Sequence, residues 1–75
     1  MKLTQMQQML VDLASDNSNG IFYPRRIMVH KQSGRTVYIY GPGVAAAIRS
    51  LIRKGVAKPL PELAEYAFQL IERVL

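Results

Sequence analysis

Between Ile27 and Tyr40 the hydrophobic period of the chain changes, and that change limits the architectures open to it. Ile27 to Lys31 and Arg35 to Tyr40 are rich in β-branched and aromatic residues, which fit a pleated, half-buried surface. Gln32, Ser33 and Gly34 separate the two runs, and Gly34 suits the left-handed position of a three-residue hairpin loop with a bulge. This loop sets Lys31 opposite Arg35, Val29 opposite Val37 and Ile27 opposite Ile39. Ile27, Val29, Val37 and Ile39 then share one face, expected to be buried. Arg26, Met28, His30, Thr36, Tyr38 and Tyr40 share the other. A slip of one residue would exchange the two faces.

A two-stranded ribbon is marginal in water unless something covers it. Amphipathic segments on both sides supply the cover. Leu3, Met6, Leu10 and Leu13 recur at helical spacing, and Thr4 with Gln7 matches a capping box. The polar run Ser15 to Gly20 ends that helix. Gly41-Pro42-Gly43 closes the second strand and opens another helix, whose stripe is Val44, Ala47, Ile48, Leu51 and Ile52. Gly55 suits its C′ position, and Arg53 and Lys54 complement the negative end of its dipole. A third helix is expected from Pro61, with Glu62 and Glu65 in its first turn and a stripe of Leu63, Ala64, Ala67, Leu70, Ile71 and Val74. The reading is an α+β fold of order α-β-β-α-α, one antiparallel β-hairpin packed on three helices, in a single domain of residues 1–75. Ile21-Phe22-Tyr23-Pro24 reads as a third short strand or a lid on the core, with a docking strand as the functional alternative.

A chain of 75 residues hides only about 60 % of the surface its unfolded form exposes, so the core is thin. The absence of cysteine excludes disulfides, thiol chemistry and cysteine-bound metal, and a single histidine leaves little scope for any other metal site. No cofactor is expected. Gln5, Gln7 and Gln8 interrupt any apolar leader, and the longest wholly apolar run, Val44 to Ile48, is far too short to span a membrane. A cytoplasmic protein with no membrane partner is therefore expected.

Charge is the strongest functional signal. The chain carries ten Lys and Arg against five Asp and Glu, yet no carboxylate lies between Asn17 and Pro61. Arg25, Arg26, Lys31, Arg35, Arg49, Arg53, Lys54 and Lys58 all fall in that block. Unneutralised like charges repel, and soluble surfaces usually intersperse both signs. Together with Tyr38 and Tyr40 these cations form the candidate site: Lys and Arg attract phosphates, and exposed aromatic rings stack on bases. The expected function is a small basic nucleic-acid-binding module that contacts DNA or RNA phosphates through a positive hairpin–helix surface, with little sequence readout. A solvated basic surface, with tyrosines that merely suit a strand, is the bland alternative.

Gly41-x-Gly43 with Ala47 resembles the glycine loop and helix start of the helix-hairpin-helix family, in which backbone amides of the loop hold a DNA phosphate. In that family the loop joins two helices, whereas here a strand is expected before it; Gly/Pro punctuation alone explains a structural turn. The second class of function is a protein-interaction module or small regulator docking on an acidic partner surface, with Met1, Met6, Met9 and Met28 as adaptable apolar contacts. An open strand edge, or the heptad-like series Leu60, Leu63, Ala67, Leu70 and Val74, would allow a homodimer. Catalysis is not expected. His30 reads as an exposed strand residue with no nucleophile or carboxylate at a telling spacing, and Asp12 and Asp16 suit solvated or capping roles near the end of the first helix.

Overall fold

The computed structural model describes residues 2–71. Helix α1 (Gln5–Ser15) starts at a complete capping box: the Gln7 amide donates to Thr4 Oγ1 at 3.2 Å, and the Thr4 amide to Gln7 Oε1 at 2.9 Å. Met9, Leu10, Val11 and Ala14 are buried, with Leu3, Met6 and Leu13 packed at the margin. The chain then turns through Asn17 and Gly20 (φ 68°) into β1 (Ile21–Phe22), the short strand that was one of the two expectations for this segment.

Helix α2 (Val44–Arg53) buries Val44, Ala47, Ile48 and Leu51, with Ile52 at the margin. It ends as expected. Gly55 at φ 76° donates to the Ile52 carbonyl, and Val56 donates to that of Leu51, the paired bonds of a Schellman stop. Gln7 ties the two helices together: its Nε2 donates to Ser50 Oγ at 2.9 Å, and its Oε1 accepts from Lys54 Nζ at 3.0 Å. A buried amide is thereby satisfied at both ends.

The expected third helix does not form among the described residues. Pro61 to Tyr66 forms separate turns, with Leu63 and Ala64 donating to the Leu60 carbonyl and Ala67 to that of Ala64. The chain continues into β5 (Phe68–Leu70), the central strand of a three-stranded antiparallel sheet ordered β1-β5-β4, where β4 is Ala57–Pro59. Phe22 lies opposite Phe68 with rings stacked at 4.8 Å between centroids, and both are fully buried. Spacings of three and four misled because so short an apolar series serves a turn and a strand as well as a helix. Between β1 and β4, Phe68 and Leu70 gain ladder bonds on both edges while burying their side chains, which a surface helix would not offer Phe68. The heptad-like dimer series is lost with the helix, and Val74 lies outside the described residues.

The hairpin forms, but in a register shifted by one. Strands β2 (Ile27–Val29) and β3 (Thr36–Tyr38) pair Ile27 with Tyr38, Met28 with Val37 and Val29 with Thr36. The loop holds Lys31 to Gly34, one residue more than expected, closed by His30 N–H to Arg35 O at 2.9 Å and Gly34 N–H to His30 O at 2.7 Å. Met28, His30, Val37 and Ile39 therefore face the core, while Ile27 and Val29 are 54 % and 56 % exposed. The expectation of an exposed His30 is overturned: it is buried, with Nε2 2.7 Å from Asp12 Oδ2 and Nδ1 2.6 Å from Ser33 Oγ. A carboxylate can only accept, so Nε2 carries the proton toward α1. Facing the core, the imidazole finds Asp12 on α1 and Ser33 in its own loop, so the observed register leaves neither ring nitrogen unmatched.

Among the described residues the result is a small α+β fold of two helices and two antiparallel sheets. Its largest fully buried side chains, Leu10, Phe22, Val37, Val44, Leu51 and Phe68, come from helices and from both sheets, so one core serves the whole. Among the described residues no helix is long and apolar enough to cross a membrane.

Candidate functional site

Beyond β3 the chain reverses in a tight turn, with the Gly41 amide donating to the Tyr38 carbonyl at 2.8 Å. Gly41 is needed there for space: a Cβ would stand 3.0 Å from the Tyr38 carbonyl oxygen. Gly43 is needed for conformation, since it caps α2 at φ 82° in the left-handed region. Between these glycines and β3 the turn throws Tyr40 outward, 78 % exposed, while Ile39 points into the core. The Tyr40 ring meets Tyr66 edge-on, with centroids 6.3 Å apart and planes at 75°, a preferred aromatic geometry.

Tyr40 borders two open hollows. One, of about 390 Å³, is bounded by Arg26, Tyr38, Tyr40, Gly41 and Pro42. The other, of about 320 Å³, is bounded by Pro24, Arg25, Arg26, Tyr40, Glu65 and Tyr66. Arg26 and Tyr40 belong to both. Neither arginine has a carboxylate within ion-pair distance among the described residues. Guanidinium groups beside exposed rings can take phosphate by paired hydrogen bonds and planar groups by stacking. The outer hairpin face continues the surface with Ile27 and Val29 beside Tyr38.

The other expected cations are dispersed. Lys31 stands in the hairpin loop, 3.9 Å from Asp16 in an exposed contact of little energetic weight. Arg35 closes the same loop opposite His30. Arg49 and Arg53 are exposed on α2, a helix about 15 Å long, so Arg53 stands most of a helix length from the Gly41–Pro42 end that borders the hollow. Lys54 is turned inward onto Gln7, and Lys58 lies on β4 opposite Gln69. Arg25, Arg26, Tyr38 and Tyr40 are thus gathered at the base of the hairpin, and the remaining six are not part of these hollows.

Tyr66 and Glu65 were missed because both were read into a helix, Glu65 as a dipole partner in its first turn. The signal that could have found them is the alternation Tyr66, Phe68, Leu70, a strand pattern within the apparent helical one. The cluster of Asp12, His30 and Ser33 was also missed; residues 18 apart in sequence meet only through the packing of the hairpin on α1. With both ring nitrogens engaged and the ring buried, His30 holds the hairpin to the helix. No group of three or more His, Cys, Asp or Glu among the described residues is placed to hold a metal ion.

A strand precedes the Gly41-Pro42-Gly43 turn, so the helix that the helix-hairpin-helix family places there is not present. Comparison with protein-family models, curated proteins and solved structures found no match.

Proposed function

We propose that this chain is a small basic nucleic-acid-binding module that holds phosphates at the base of its hairpin, with little sequence readout. The observation that carries the reading is the convergence of Arg25 and Arg26, free of ion pairs among the described residues, on Tyr38 and Tyr40 around two adjoining hollows. Arg35, Arg49, Arg53 and Lys58 add a positive field that steers a polyanion toward the protein without sitting in the hollows.

The test is fluorescence anisotropy of labelled oligonucleotides, single- and double-stranded, at two salt concentrations. On single strands each phosphate contact contributes about −0.7 to the slope of log K against log salt. Replacing Arg25 and Arg26 together with alanine should flatten that slope by nearly two such contacts, whereas Arg53→Ala should change it less. Absence of binding at low salt to every oligonucleotide removes the proposal.

A second reading has its own observation. Ile27 and Val29 are more than half exposed side by side on the outer hairpin face, an apolar strip with arginines at its end. Such a strip favours an acidic protein surface with apolar residues at its centre. Capture of that class of partner, lost on Ile27→Lys and retained on Tyr40→Ala, would carry this reading in place of the first.

A further inference from the structure

We infer that the hairpin base takes single-stranded rather than duplex nucleic acid, seating successive bases in the two hollows that Tyr40 borders with the phosphate between them against Arg26. This rests on the nucleic-acid reading and specifies its ligand. Among the described residues Tyr40 is the most exposed of the large hydrophobic side chains, yet it is held at the tip of a turn that Gly41 keeps tight and is braced by Tyr66. A ring held in this way loses little freedom when a base stacks on it. The two hollows share only Tyr40 and Arg26, so a strand crossing from one to the other must pass its linking phosphate near that guanidinium.

Glu65 lies on the rim of the hollow bounded by Tyr66, which it shares with Arg25 and Arg26. In a duplex the base faces are already stacked on their neighbours and the edges are paired, so an outward-pointing tyrosine has no face to meet. Single strands offer that face in every base, which is why aromatic platforms tolerate sequence.

The experiment uses the full chain with a labelled oligothymidylate and a blunt mixed-sequence duplex carrying the same number of phosphates. Circular dichroism of each variant confirms folding, which the exposure of Tyr40 makes easy to preserve. Tyr40→Ala should weaken single-strand binding about tenfold or more, the scale of one lost base–aromatic stack. Tyr40→Phe should stay near the parent, and duplex binding should respond to neither. Arg26→Ala should lower the single-strand salt slope by about 0.7, one phosphate contact. Single-strand binding indifferent to Tyr40→Ala, equally weakened by Tyr40→Phe, or matched by a duplex that is equally sensitive would overturn the stacking geometry while phosphate binding stands. No binding to either form at low salt overturns both.

Discussion

The contact that ties the hairpin to α1 is also the one whose removal can be predicted most closely. His30 and Asp12 meet at 2.7 Å with side chains 8 % and 24 % exposed, so the imidazole is dry and the carboxylate partly wet. A hydrogen bond to a charged group contributes about 1.5–3 kcal/mol net, and a buried donor left unmatched costs most of that. Water can reach the Asp12 side of the contact, which places Asp12→Ala toward the low end, near 1.5–2 kcal/mol. Asp12→Asn keeps a neutral acceptor in place and should lose about half as much, because charge-assisted bonds are roughly twice as strong as neutral ones. The bond from Gln8 Nε2 to Asp12 Oδ1 is exposed and adds little. Urea denaturation measures both variants: the midpoint should fall with an unchanged slope, and in a domain this size Asp12→Ala should lower Tm by roughly 10 °C. A double-mutant cycle with His30→Leu should return a coupling of at least about 0.5 kcal/mol, as contacting residues do. If Asp12→Ala and Asp12→Asn both lie within about 0.5 kcal/mol of the parent, in the range of ordinary surface substitutions, the clamp does not hold the hairpin in place.

Three further substitutions separate the observed fold from its nearest alternatives. Met28→Ala should cost about 2–5 kcal/mol as a core truncation, while Ile27→Thr should cost about 0.5 kcal/mol or less at an exposed strand position; chemical denaturation showing the reverse order would restore the register with Ile27 and Val29 buried. Phe68→Ala removes half of the buried Phe22–Phe68 stack at the central strand and should destabilise by about 3–5 kcal/mol, read as loss of the folded baseline in thermal melts at neutral pH; a cost below about 1 kcal/mol would argue against a buried strand there.

Features that depend on neighbours within a few residues were legible without coordinates. The Thr4–Gln7 capping box, the Gly55 stop, the buried stripe of α2 and the existence of a hairpin around Gly34 all follow from donors, acceptors and dihedral preferences satisfied within one or two turns of chain. The clustering of cations between Asn17 and Pro61 was equally plain, because charge is a property of the residue list. Three decisions belonged to tertiary packing. Phe68 and Leu70 became a central strand because β1 and β4 could pair with both of its edges and Phe22 could stack on Phe68, contacts that cross 46 residues. The hairpin turned Met28 and His30 inward, and Ile27 and Val29 outward, and Asp12 on a distant helix matches the buried imidazole. Of the ten residues expected to bind together, Arg25, Arg26, Tyr38 and Tyr40 met around a ring braced by Tyr66, while Lys54 was drawn to Gln7. Hydrophobic periodicity records that a side chain wants burial. Which partner it finds there is set by hydrogen bonds and ring contacts between segments far apart in the chain, and no local pattern encodes them.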